Sequence, residues 1–113
     1  MTDGIGSKED RSLARAARNE VTFRNANQEI ERRRADLEVE GATPFICECE
    51  EESCNTLVFL NQDEYAGARE KPNWFVLAPG HKFSSGTILS GNDRFVVVDK
   101  HGLAKEIAER EAT

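Results

Sequence analysis

The chain has 113 residues, which is enough for one domain and at most an appendage. Only 38% of the residues are hydrophobic and 32% are charged, so the core must be modest, and the formal net charge of −6 disfavours nucleic acid as a partner. No run of about 18 apolar residues occurs, so we expect no membrane association. The segment Met1–Gly4 lacks the basic and apolar regions of a signal peptide, so we expect a cytoplasmic location.

The N-terminal third of the chain predicts one long helix. Residues 1–7 contain two glycines and are expected to be disordered, whereas residues 8–40 contain neither proline nor glycine. Gly41 fits the position just past the end of such a helix, and Pro44 prevents its continuation. Apolar residues recur along it every seven positions, at Ala16, Phe23, Ile30 and Leu37. The pattern predicts an amphipathic helix with a narrow apolar stripe.

This helix is too long for the remaining chain to cover. At 1.5 Å per residue, roughly 30 residues span about 45 Å, which exceeds the width expected of the remaining domain. We expect the half that contains Ile30 and Leu37 to dock on the domain and the half around Leu13 and Ala16 to project.

The helix is basic and the remainder of the chain is acidic. Residues 12–34 carry six arginines and three glutamates, a net of +3, and residues 41–113 carry seven basic and twelve acidic residues, a net of −5. Attraction within one molecule is the simpler interpretation. The alternative is a surface for a protein partner or a second copy of the chain. The candidates for that surface are Arg15, Arg18, Phe23 and Ile30. The arginines expected on exposed polar faces are Arg11, Arg15, Arg18, Arg32, Arg33 and Arg34.

Downstream of the helix, short apolar runs alternate with turn residues. The segments that predict strands are Phe45–Cys49, Thr56–Leu60, Trp74–Ala78, Thr87–Leu89 and Phe95–Val98. Between the second and third, Asn61 begins a short helix with Glu64 three residues after it, the pattern of a capping box. This helix should run from residue 62 to about 70 and stop before Pro72.

The three cysteines have the spacing C-x-C-x4-C, with the first two on the first predicted strand and the third after it. Residues two apart on a strand point to the same side, so Cys47 and Cys49 can direct two thiolates at one point. The four residues that follow allow a turn that returns Cys54 to the same point. Tetrahedral zinc needs a fourth ligand, and histidine is the usual one where only three cysteines exist. His81, which follows a Pro-Gly turn, is the better candidate, and His101 is the reserve.

Other interpretations of these residues stay open. The cysteines could be buried free thiols of a small core, or they could hold an iron–sulfur cluster. Small clusters with three cysteines and one histidine place the last two ligands close together, whereas 26 residues separate Cys54 from His81. Four protein ligands leave no position for a substrate, so a zinc ion here would be structural. We read the carboxylates of Glu48 and Glu50 to Glu52 as a solvated acidic turn and expect no enzyme.

Together these patterns predict an α+β fold. A long N-terminal helix is followed by a small, mainly antiparallel sheet of four to five strands with one short inserted helix, stapled by a zinc site. Residues 41–101 form the zinc-stapled domain, and residues 102–113 form a weak helix or a tail. The predicted strands are apolar on both faces, so the short helix and part of the long helix should cover the two faces of the sheet.

Residues spread over about four fifths of the chain form a wider pattern. They are Asn19-Glu20, Phe23-Arg24, Asn27 to Ile30, Phe45 to Cys49, Cys54, Glu64-Tyr65, Arg69, Pro72, Phe75, Pro79-Gly80-His81 and Val97 to Lys100. In these residues the chain resembles a family of small, largely uncharacterised bacterial proteins. The resemblance implies that the three cysteines and His81 share one site, and it implies no activity. The chain departs from the family at Asn61, where Thr or Ser is usual, and in the hairpin between Lys82 and Leu89.

The sequence therefore predicts a non-enzymatic, zinc-stabilised interaction or regulatory module that offers its N-terminal helix to a protein partner or to a second copy. The alternative is a redox sensor in which an oxidant attacks the zinc thiolates and releases the metal.

Overall fold

The structure is a computed structural model that describes residues 8–37, 41–51 and 53–111. Its elements are α1 (Lys8–Asp36), β1 (Thr43–Ile46), β2 (Leu57–Leu60), α2 (Gln62–Ala68), β3 (Trp74–Leu77), β4 (Gly86–Gly91), β5 (Val96–Lys100) and α3 (Gly102–Arg110). The disorder predicted for residues 1–7 and the helical turn predicted for residues 38–40 lie outside the described residues.

The five strands form two antiparallel sheets. Strand β1 pairs with β2, and β5 lies between β3 and β4, with Val98 opposite both Phe75 and Ile88. The predicted α+β class, with a long N-terminal helix, antiparallel strands and a short inserted helix, is confirmed. The strands are divided between two small sheets rather than united in one.

The segment after β1 joins these two sheets. The Cys47 N–H donates to the Thr56 carbonyl at 3.0 Å, which extends the pairing of β1 with β2. One residue later, the Glu48 N–H donates to the Val76 carbonyl of β3 at 2.7 Å. Consecutive residues therefore bond to different sheets, and this places the cysteines at the junction.

The face of helix α1 that packs against the rest of the chain is largely polar. Glu20, Arg24 and Asn27 are each no more than 2% exposed. The apolar side chains that α1 buries within the described part of the chain are Ala17 and Val21. The helix packs against β1 and α3, and it accounts for much of the longest dimension of the molecule, 53 Å.

The predicted apolar stripe of α1 is wrong at its C-terminal end, where Leu37 is 70% exposed. A straight α-helix drifts by about 20° per heptad relative to a seven-residue repeat, so three repeats turn the stripe by about 60°. Ile30 still packs against the core, but Leu37 has turned away from it. The predicted projection around Ala16 is also wrong, because Ala14 packs against the core and Ala17 is buried. The side chains before Ala14 lie outside the described part of the chain.

Helix α2 begins with the predicted capping box. The Asn61 side chain accepts from the Glu64 N–H at 2.8 Å, and the Glu64 carboxylate accepts from the Asn61 N–H at 2.9 Å. On the buried side of the helix, the Tyr65 ring stacks on Phe45 of β1 with ring centres 4.4 Å apart. This contact fixes α2 on the inner face of the β1–β2 sheet.

The two faces of β2 are not both covered, in contrast to the prediction. Val58 and Leu60 are buried, whereas Leu57 and Phe59 are 52% and 46% exposed. A two-stranded sheet has only one face toward the core here, so the apolar residues of its other face meet solvent. At the C-terminus, the predicted weak helix is formed as α3, which buries Ile107 and its neighbouring alanines against α1.

Candidate metal centre

Three separate turns bring the predicted ligands together. Cys47 and Cys49 follow β1 directly, and Cys54 lies in the turn that leads to β2. His81 follows β3, in a turn that its N–H closes by donating to the Ala78 carbonyl at 3.2 Å. Gly80, inside that turn, has a φ of +84°, a conformation that glycine adopts without the steric cost of a side chain.

The four side chains form one cluster. The sulfur atoms of Cys47, Cys49 and Cys54 and a ring nitrogen of His81 all lie within 4.8 Å of one another. His81 Nδ1 is 3.4 Å from Cys47 Sγ and 3.7 Å from Cys54 Sγ. In a tetrahedral zinc site, bonds of about 2.3 Å to sulfur and about 2.0 Å to nitrogen put these atoms about 3.6 Å apart. The residues therefore fit a metal ion of that size and geometry.

Burial disfavours the thiolate form of two of these three cysteines. It raises the pKa of Cys47 and the pKa of Cys49. For Cys54 burial also acts upward, but hydrogen bonds with the backbone and hydroxyl of Thr56 and with the thiols of Cys49 and Cys47 together outweigh it, and the pKa is lowered. Metal ligation requires thiolates, and a divalent cation supplies the charge that stabilises them. The Ala78 N–H also donates to Cys47 Sγ at 3.2 Å, as amides beside metal-bound sulfur do.

On the opposite side of the cysteine segment, Glu48 points into the protein and is 0% exposed. Its carboxylate accepts from Asn27 Nδ2 of α1 at 2.8 Å and from the Val76 N–H of β3 at 2.9 Å. It also forms an ion pair with Arg69, just after α2. Asn27 uses the rest of its amide on Ile46, with 2.7 Å bonds to both its N–H and its carbonyl. The side chain between two candidate metal ligands thus bonds to α1, β3 and the end of α2.

Glu50, two residues after Glu48, also directs its carboxylate at other parts of the chain. Its carboxylate accepts from the backbone and hydroxyl of Ser84, and Lys100 Nζ lies 3.5 Å from it. Lys100, which is 1% exposed, also lies 2.7 Å from the Glu20 carboxylate of α1. Burial raises the pKa of Glu20 to about 7, although the Lys100 charge acts in the opposite direction. The ammonium group of Lys100 is therefore shared by the carboxylates of Glu50 and of Glu20 in the long helix.

The interpretation of Glu48 and Glu50 as part of a solvated acidic turn is wrong. Glu48 is fully buried and Glu50 is partly buried, whereas Glu51 is exposed. The strand alternation that aims the cysteines at the candidate metal site also aims these two carboxylates at the interior. That signal was available in the Cys-Glu-Cys-Glu order of the sequence. The partners Asn27, Arg69 and Lys100 carry no comparable local signal, because they are distant in sequence.

The remaining predicted site residues lie outside this cluster, although Arg15 lines an open cleft beside Cys49 and His81. His101, the reserve ligand, is exposed, and its Nε2 is 3.1 Å from the Thr87 hydroxyl. Arg15 and Arg18 are exposed on α1, and Phe23 is half-buried. Ile30 is half-buried and packs against the core of its own chain.

One arginine that was expected on an exposed polar face is buried. Arg34 is only 8% exposed and forms a two-bond ion pair with Glu31, with distances of 2.8 and 2.7 Å. Its neighbours Arg32 and Arg33 are exposed, as expected. The period of 3.6 residues per helical turn, which turns Leu37 outward, also turns Arg34 toward the domain.

Comparison of the chain with models of protein families, with curated proteins and with solved structures found no match. Within residues 8–37, 41–51 and 53–111, no helix has the length and apolarity needed to cross a lipid bilayer.

The first prediction concerns the ligands. We expect one zinc ion per chain, and we expect Cys47→Ser, Cys49→Ser, Cys54→Ser and His81→Ala each to lose it. His101→Ala is the control that removes a histidine outside the cluster and should keep the metal. Native mass spectrometry with and without a chelator reads the stoichiometry. Because structural zinc contributes about 10 kcal/mol or more in small domains, a metal-free protein with an unshifted thermal transition would contradict this assignment.

The second prediction concerns Glu20. Between the ordinary pKa of 4.5 and about 7, folded Glu20 keeps a proton that the unfolded chain has lost. Its contribution to the free energy of unfolding is therefore full below about pH 4.5 and falls as the pH rises through 7, by roughly 3 kcal/mol in all. The nearby charges of Lys100, Glu50 and Glu48 set the size of this change.

The Glu20 prediction is measured as the difference in unfolding free energy between the natural protein and Glu20→Gln, in zinc-saturated urea titrations at several pH values. The pH dependence of zinc binding is common to both proteins and cancels in the difference. We expect the natural protein to lose stability relative to the variant from pH 5 to 8. A difference that does not change with pH would show that Glu20 keeps an ordinary pKa.

Proposed function

We propose that the protein is a non-enzymatic module whose fold is held by a structural zinc ion. The observation that carries this proposal is the closed set of ligands: three sulfur atoms and one imidazole nitrogen within 4.8 Å of one another. Such a set satisfies the tetrahedral preference of zinc and leaves no open position for water or substrate. Zinc is favoured over harder cations because thiolates are soft ligands.

The position of the cluster supports a structural role. Its ligands come from the ends of β1 and β3, which belong to different sheets, and from the turn before β2. A metal ion there would tie together three segments of the chain that are distant in sequence. Small domains with limited cores commonly depend on a metal in this way.

The module offers the outward face of α1 to a protein partner or a second copy. Arg15 and Arg18 are exposed on this face, and Phe23 at its border is half-buried and lies outside the hydrophobic core cluster. Arginine and aromatic side chains are the types enriched at protein interfaces. An acidic surface with an apolar depression is the complement that these side chains fit.

The third prediction tests whether Phe23 serves its own chain or another molecule. Phe23→Ala should change the unfolding free energy of the monomer by less than about 1 kcal/mol, whereas Phe75→Ala, which removes a fully buried ring, should cost roughly 3–5 kcal/mol. Urea titrations at low protein concentration give both values. Sedimentation equilibrium at high concentration should show weaker association of the Phe23 variant. A loss for Phe23→Ala equal to that for Phe75→Ala would place Phe23 in the fold and remove it from the proposed surface.

A redox sensor is the second candidate, and two observations favour it. Cys54 is only half-buried, and an open cleft of about 470 Å³ lies beside Cys49 and His81. Peroxide entering there would oxidise two zinc thiolates to one disulfide, be reduced to two molecules of water or hydroxide, and leave the zinc with too few ligands.

The fourth prediction separates these two functions. If the zinc is structural, stoichiometric peroxide should leave it bound over the time in which accessible thiolates of low pKa react. A colorimetric zinc chelator follows release, and mass spectrometry detects a loss of two hydrogen atoms. Rapid release together with a disulfide among Cys47, Cys49 and Cys54 would overturn the structural assignment in favour of the sensor.

A further inference from the structure

The metal segment, residues 47–50, has two functional sides. Cys47 and Cys49 point to the metal cluster, and the alternating residues Glu48 and Glu50 point to the interior. On a strand-like segment these two sets move together, because a rotation that displaces one set displaces the other. Any change in the position of the cysteines is therefore transmitted to the two carboxylates.

Those two residues reach α1 at three points. The Glu48 carboxylate accepts from Asn27 at 2.8 Å. The Glu50 carbonyl accepts from Asn19 Nδ2 at 3.4 Å, and the Glu50 carboxylate shares Lys100 with Glu20. Asn19, Glu20 and Asn27 span two turns of the helix, so the metal segment holds the middle of α1 along its length.

Apolar contacts of α1 are made mainly by small side chains, with Ala14 and Ile30 partly buried against the core and α3 packed on the helix. Its most buried side chains in the described part of the chain are dominated by Glu20, Arg24 and Asn27, and the buried apolar ones are Ala17 and Val21, which are small. Polar groups gain little from burial unless their partners are in place, and they regain hydrogen bonds to water when they are released. Arg24 bonds to Pro72 and Ala108 independently of the metal segment, but the contacts of Asn19, Glu20 and Asn27 depend on whether that segment presents its groups correctly.

We propose that metal occupancy controls the docking of α1, so that loss of the metal releases the long helix and exposes its polar face. This inference rests on the proposed zinc site. It assigns to Asn27 and Glu48 the role of positioning residues that couple the metal cluster to the helix. Coupling between two sites is reciprocal, so weakening the contact of α1 with the segment must also weaken metal binding.

The coupling is tested first on the natural protein, by amide hydrogen exchange with and without a zinc chelator. Removal of the metal should lower protection in every element, because the metal stabilises the fold, and should lower it in the described middle of α1, residues 17–34, roughly tenfold more than in β3 and β5. Unchanged protection of α1 would overturn the proposal. An equal loss in all elements would overturn it as well, because α1 would then be released only together with the rest of the fold.

The reciprocal arm uses Asn27→Ala, which removes the amide between α1 and Glu48. Outer partners of metal ligands typically change metal affinity by about 10- to 100-fold, and we expect a loss in that range in competition titrations with a chromophoric chelator. Asn25→Ala is the matched control, because Asn25 is an exposed asparagine on the same helix; its zinc affinity should change by less than about twofold.

These measurements separate the two proposals. If the natural protein binds no metal, the proposed function fails. If it binds zinc with the expected stoichiometry but Asn27→Ala and Asn25→Ala have equal affinities, the coupling fails and the structural zinc remains. If Asn27→Ala does not fold, hydrogen exchange on the natural protein still tests whether the metal controls the docking of α1.

Discussion

The carboxylate of Glu48 lies between two cysteines in sequence and between three elements in space. Buried without partners, such a charge would cost several kcal/mol, so its position is allowed only where Asn27, Arg69 and Val76 meet around it. Each of these partners belongs to a different part of the chain. The arrangement of α1, the end of α2 and β3 therefore depends on satisfying one buried anion, and the adjacent cysteines depend on the same segment.

The contact of α1 with the domain follows the same logic. A helix with an apolar stripe can shift by a turn and still bury similar surface, whereas hydrogen bonds to Ile46 and Glu48 accept only one register of Asn27. Arg24 adds hydrogen bonds to the carbonyls of Pro72 and Ala108, which tie the helix to α3 and to the turn before β3. Polar docking of this kind contributes more to the uniqueness of the arrangement than to its free energy of stabilisation.

Much of the fold could be predicted because its signals are local. The capping box at Asn61, the short apolar strands and the Pro-Gly turn before His81 are each encoded within a few residues, and the structure contains them. Spacing predicts the three cysteines as ligands and the Pro-Gly turn favours His81 as the fourth, and the structure brings all four into one cluster.

The face of α1 could not be predicted in the same way. A seven-residue repeat identified Leu37 as a docking residue, but the helix drifts away from that repeat, and Leu37 is exposed. The true docked face is polar, and hydrophobic periodicity cannot detect it. From the sequence alone Glu20 and Asn27 resemble solvated residues, because their partners Lys100 and Glu48 are distant in sequence.

The central claim is that one metal ion is held by three sulfur atoms and one nitrogen at the junction of the two sheets. X-ray absorption spectroscopy of the zinc-loaded protein tests it most directly, because the first shell reports ligand type, number and distance together. The account predicts three sulfur atoms at about 2.3 Å and one nitrogen at about 2.0–2.1 Å. A first shell made mainly of oxygen and nitrogen atoms, or one with fewer than three sulfur atoms, would contradict it.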